Sequence, residues 1–277
     1  MGIKTYLLLL AAFTSTAAQL PSNPPRAGSL ASRALALPGY HWVHRRTPHA
    51  EIYVRGGSSA EKIIASLPAN VERAVTADLA RLGVPFSGPR LRLFFVGSRD
   101  EMRPLVGAMP GGHAATDEGA GFLIGNDSIQ PAMRHEIMHL LSWRLWGTPS
   151  TAWFSEGLAT SAAGKCGGKY SVHQVAAVLA RENRLVPLDT LWKHFIYSAE
   201  TGATYYIEGA SLVEYIERRF GHDGLRALWP IGAYDDVDRR LGINRATLER
   251  DWRASLPPAP TSGWAEIFTN ITRRGCE

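Results

Sequence analysis

The stretch that most constrains this chain is residues 131–146. There His135, Glu136 and His139 sit among Met133, Ile137, Met138, Leu140, Leu141, Trp143, Leu145 and Trp146. At 3.6 residues per turn these apolar side chains cover much of the circumference, so the segment reads as a core helix. A buried helix cannot leave polar side chains without partners, and a single ion satisfies several of them at once. Two histidines four apart project from one face of a helix about one turn displaced, so both imidazoles reach one ion, and the glutamate beside the first is set to meet a water. The competing explanation is a solvated face with i to i+4 contacts, which the apolar surroundings oppose. Nine histidines in 277 residues give this five-residue pattern about 0.016 times by chance.

A catalytic zinc takes three protein ligands and leaves one position for water. Glu156 is the third candidate, in the segment Trp153, Phe154, Ser155, Glu156, Gly157, Leu158, Ala159, 17 positions after His139. That is enough chain to finish one helix, turn through 147–150 and return antiparallel, and Gly157 permits close helix approach. Read alone, Glu156 could equally be an exposed carboxylate favoured by a helix N-terminus. The expectation is one Zn²⁺ per chain, held by His135, His139 and Glu156, with Glu136 as general base.

Around this segment the pattern reads as α+β. Residues 51–55, 91–96 and 122–124 are strand-like, and 59–82 is largely helical with a break near Pro68. From 131 onward the helical period takes over, with helices expected at 131–146, 150–163, 171–183, 203–220 and 244–255. Pro131 suits a first-turn position, and Gly221 suits a left-handed cap after Phe220. The expected organisation is a signal peptide at 1–18, a flexible lead-in at 19–40, a small mixed-sheet lobe with a covering helix at 41–130, a helical zinc-binding lobe at 131–255, and a Pro-rich tail at 256–277. Zinc would lie in the cleft between the lobes.

The N-terminus supplies Lys4, a short apolar run over 6–13 and small residues over 15–18, the layout of an export signal. The run is about half the roughly 20 residues a membrane span needs, so the expected location is secreted or periplasmic, without stable membrane insertion. Cys166 and Cys276 fit one long-loop disulfide, which we favour over two unrelated thiols. Lys plus Arg exceed Asp plus Glu only by 30 to 25, without like-charge runs, so nucleic acid is not an expected partner. The sequence leaves the oligomeric state open.

The residues carry a resemblance. The His-Glu-x-x-His segment, followed by Glu156, Gly157, Leu158 and Ala159 behind Trp153, resembles the gluzincin metallopeptidases, in particular the peptidase MA-like group and more distantly the alanyl-aminopeptidase type. The likeness extends over roughly 41–255, through Tyr206, Gly209 and Ala210 to Trp252 in what reads as the last helix. It implies a zincin-like fold and a phenol donor at Tyr206 steadying the oxyanion, with Tyr205 as fallback and plain packing as the alternative for either ring. It also suggests that the strand at 122–124 pairs an extended substrate along its edge, unless it is an ordinary buried strand. His113, in the Gly-rich stretch 111–121, either lines the cleft or is a solvated loop residue.

Departures bear on specificity. Aminopeptidases of this class carry a Gly-Ala-Met-Glu-Asn strand whose glutamate grips the substrate amine, whereas residues 119–123 hold no carboxylate. Thr160 stands where thermolysin-like relatives have an aspartate supporting a ligand histidine, so the groups that orient His135 and His139 have to lie elsewhere. These residues imply a secreted zinc metallopeptidase, endo-acting on peptide or protein. Two other readings stand beside it: a zinc-containing binding or scaffold protein without turnover, and a zinc hydrolase of a non-peptide amide in the cell envelope.

Overall fold

Five strands, β1 (Trp42–Arg46), β2 (Ala50–Arg55), β3 (Leu91–Val96), β4 (Gly112–Ala115) and β5 (Ala120–Ile124), form one mixed sheet in the order β1-β2-β3-β5-β4. The outer pairs β1–β2 and β4–β5 are antiparallel, and β2, β3 and β5 run parallel. The structure is a computed structural model that describes residues 28–108, 110–193 and 199–276. The proposed signal peptide at 1–18 lies outside the described residues.

The sheet is covered on both faces, which is why β3 and β5 are apolar at nearly every position and do not alternate. Leu91, Leu93 and Phe95 join a core with α2 (Leu67–Leu82) and α4 (Met133–Trp146). Phe94, Val96, Phe122 and Ile124 pack on the other side against α1 (Leu30–Leu35) and α3 (Arg99–Val106). The ordered chain therefore starts before residue 41. Ala31 and Ala34 are buried, and Glu118, in the turn before β5, takes the Leu30 and Ala31 amides at 2.7 and 3.0 Å. A helix this short leaves too little periodicity in the sequence to stand out from a lead-in.

The rest is mainly helical: α5 (Ala152–Ala163), the small hairpin β6 (Lys165–Cys166) and β7 (Tyr170–Ser171), α6 (Val172–Arg181), α7 (Leu188–Lys193), α8 (Ala199–Leu228), α9 (Val237–Leu241), α10 (Arg245–Ala254) and α11 (Trp264–Arg274). The five expected helices are present with shifted ends. Pro131 lies outside α4, whose cap is Ala132, and α2 begins just before Pro68. Gly221, at φ 69°, breaks α8 where a cap was expected, but a further helical stretch resumes after it. The segment read as a Pro-rich tail folds: α11 buries Trp264 and Ile267 in a core shared with α6, and Cys276 is bonded to Cys166. Trp252 is thus buried in α10, the penultimate helix.

One contact fixes the helical half near the site. A Cβ on Gly157 of α5 would lie 2.6 Å from the carbonyl carbon of Gly209 in α8, so the two backbones touch there. Only glycine lets helices approach this closely. Among the described residues no helix is long and apolar enough to cross a membrane.

Candidate metal centre

Helix α4 packs against the sheet through β4 and β5 and against α5 on its other flank. This places the His135–His139 face opposite the second turn of α5. Thr151 caps that helix by accepting from the Phe154 amide, and the chain then presents Glu156 toward α4.

Three atoms meet in the gap. His139 Nε2 lies 3.2 Å from His135 Nε2 and 3.2 Å from Glu156 Oε2, and His135 Nε2 lies 3.3 Å from that same oxygen. The described residues hold no other group of three or more His, Cys, Asp or Glu side chains converging in this way. Two imidazole nitrogens facing each other at hydrogen-bond distance need either a proton or a cation between them. Zn–N bonds of about 2.0–2.1 Å in tetrahedral geometry put neighbouring donor atoms about 3.3 Å apart, so this triangle has the edge lengths of a zinc face. The donor set of two imidazoles and one carboxylate is also one that zinc accepts in catalytic sites.

The group that orients His139, unnamed by sequence reasoning, is Ser155. Its hydroxyl lies 3.1 Å from His139 Nδ1 and accepts from Trp143 Nε1 at 3.3 Å. With Nε2 turned to a cation, Nδ1 carries the proton and donates to Ser155, which fixes the ring as metal-binding histidines require. Its place next to Glu156 in the sequence was a signal, but serine is too common to be singled out. Thr160 plays no visible part in support: its buried hydroxyl has no hydrogen-bond partner among the described residues. The first turn of α4 is tied to α2 instead, because Arg134 donates to the wholly buried Asp78 at 2.7 and 3.1 Å.

Glu136 and Glu156 are driven apart electrostatically. Glu136 is only 5% exposed, and burial pushes its carboxyl up to about 7, with His135 opposing and Glu156 reinforcing. Burial would raise Glu156 too, but the charge of His139 and hydrogen bonds from both histidines outweigh it and hold Glu156 well below the usual carboxylate range. In the metal-free site the two carboxyls are thus held apart, Glu136 raised and Glu156 lowered.

Tyr206, in α8, lies with its ring centroid 6.3 Å from that of His135, at the rim of the cluster, while Tyr205 is 4% exposed and belongs to the core. Two open readings are narrowed. The strand at 122–124 lies inside β5, which is hydrogen-bonded to β3 on one side and β4 on the other, so it has no edge to offer; the edge belongs to β4. His113 is not in a loop but in β4, paired with Phe122, with ring centroids 6.3 Å apart. His113 shares the register of Phe122, which faces the α1 and α3 side of the sheet, yet its imidazole lies close enough to His139 of α4 to feel its charge. Burial lowers the pKa of its imidazole.

No protein-family model matches the chain, and the curated proteins contain no match to it.

Proposed function

We propose that this chain is a zinc-dependent, endo-acting metallopeptidase of the gluzincin type, with a zincin-like arrangement of mixed sheet, metal helix and helical lobe. The observation that carries this reading is the triangle of His135, His139 and Glu156 donor atoms with 3.2–3.3 Å edges, beside a buried carboxyl at Glu136. Zinc held there would supply a Lewis acid and bring the pKa of water down to about 7.

The chain's own residues divide the remaining work. Glu136 takes a proton from the attacking water and returns it to the leaving nitrogen, a role suited to a buried carboxyl beside the metal ligands. Tyr206 donates to the oxygen that becomes negative as the carbonyl is attacked. The edge strand β4 offers backbone groups to an extended peptide, which joins the sheet as a sixth strand. Residues 112–115 carry no carboxylate to hold a free amine, which favours internal peptide bonds over N-terminal ones. The Cys166–Cys276 disulfide supports export to an oxidising compartment, secreted or periplasmic.

The test pairs two measurements on the purified protein. Metal analysis should give one zinc per chain, and Glu136→Gln should keep the zinc while abolishing cleavage of a peptide library. Cleavage that persists in that variant overturns the general-base assignment; zinc bound by a wild-type protein that cleaves nothing overturns the peptidase reading.

A further inference from the structure

The metal helix touches the edge strand closely at a glycine. A Cβ built on Gly112 would lie 2.3 Å from Glu136 Oε1, 2.8 Å from its Cδ and 2.9 Å from its Cγ, so the Glu136 side chain rests on the bare backbone of β4. Its neighbour Gly111 has no atom of the described residues within 4 Å of the corresponding position. Neither glycine has a positive φ, so alanine is compatible with the backbone at both. Gly112 is therefore required for space, not for conformation.

We propose that Gly112 is a positioning residue: its missing side chain is the seat in which the Glu136 carboxylate is held toward the metal centre. This rests on the peptidase reading of that centre. Any side chain at position 112 meets the carboxylate end of Glu136, and the least costly relief is for Glu136 to swing away, since β4 is fixed by its register with Leu123 of β5. The fold then survives while the base is lost. Gly112 also joins two functions in one strand, because the backbone offered to the substrate is the same backbone that seats the base.

The experiment compares Gly112→Ala with Gly111→Ala, in the wild-type background and with Glu136→Asp. Displacing a reacting group by about 1 Å can cost about 100-fold. We therefore expect Gly112→Ala to lower kcat about 100-fold with KM within twofold, unchanged zinc affinity and an unchanged melting temperature, and Gly111→Ala to match wild type. In the Glu136→Asp background, where the side chain is one methylene shorter, Gly112→Ala should cost less than threefold, because the two residues act as one unit. Crystal structures of the zinc-loaded wild type and Gly112→Ala should show the Glu136 carboxylate displaced in the variant. Equal activity of the two alanine variants, a full loss that persists beside Glu136→Asp, or an unmoved carboxylate would each overturn the proposal. If the wild type cleaves no peptide, the peptidase reading fails, while the crystal comparison still decides whether Gly112 seats Glu136.

Discussion

Two histidines in this protein sit in nearly the same local setting, and only one belongs to a candidate metal site. His139 Nδ1 meets the hydroxyl of Ser155, which accepts from the Trp143 indole, and its Nε2 faces Glu156 at 3.2 Å. His173 Nδ1 meets Ser211 at 2.7 Å, Ser211 accepts from the Trp252 indole at 3.1 Å, and His173 Nε2 faces Glu214 at 3.5 Å. What differs is the second imidazole: His135 Nε2 stands beside His139 Nε2, and among the described residues no second imidazole stands beside His173. A serine and a tryptophan orient a ring in both places, but donor atoms converge on a common point in only one. The His173 group ties α6, α8 and α10 together; the His139 group is the candidate site for an ion.

The largest effect that would break this comparison is on metal content. His139→Ala should leave no zinc after dialysis, whereas His173→Ala should retain one per chain and lose about 2–4 kcal/mol of stability in denaturant. Equal metal loss in both variants would mean the two clusters are not distinct. Next come the orienting serines. Ser155→Ala should weaken zinc affinity about 10- to 100-fold in a chelator competition. Ser211→Ala should leave affinity alone and cost about 1–3 kcal/mol, because it strands the Trp252 indole and His173 in the interior.

Gly157→Ala should be felt at both levels. The added methyl enters the Gly209 backbone, so overpacking should cost about 1–3 kcal/mol in unfolding experiments. It should also move α5, which carries Glu156 and Ser155, away from α8, which carries Tyr206, and reduce kcat. Wild-type stability and rate in this variant would show that the contact is looser than described.

The smallest effect is a pH slope in the metal-free protein. Burial, with Arg218 adding, depresses the His173 pKa from 6.5 to about 4. Between those values the unfolded chain binds a proton that the native state does not, so stability is complete above pH 6.5 and falls as pH drops through 4. Screening by solvent reduces the contribution to about 1–2 kcal/mol. Glu208, wholly buried and pushed up to about 8 by burial, has the opposite sign, losing stability as pH rises from 4.5 to 8. The measurement is therefore the difference between wild type and His173→Gln across pH 4–6.5. A constant difference would contradict the assignment.

What the sequence revealed follows the range of the interactions involved. The spacing of His135 and His139 is a property of one helix, and Glu156 needs only one turn between two adjacent helices, so both were legible. Ser155 was not, because a serine next to a ligand has no spacing of its own. The strand at 122–124 was found as a strand, but whether it was an edge or an ordinary buried strand stayed open, since sheet order is decided by partners distant in sequence. Gly112 and His113 were read as loop residues, because a four-residue edge strand of glycine, histidine and alanine has neither apolar alternation nor β-branching. Helix α11 was hidden behind the prolines of 256–263, though Trp264, Ile267, Phe268 and Ile271 carry a helical period.

The central claim is that His135, His139 and Glu156 share one cation. Diffraction collected on either side of the zinc absorption edge, from crystals grown with zinc, tests it most directly. The account predicts a single strong anomalous peak about 2.0–2.2 Å from His135 Nε2, His139 Nε2 and a Glu156 carboxylate oxygen. A peak elsewhere, or none at saturating zinc with these three side chains ordered, would contradict it.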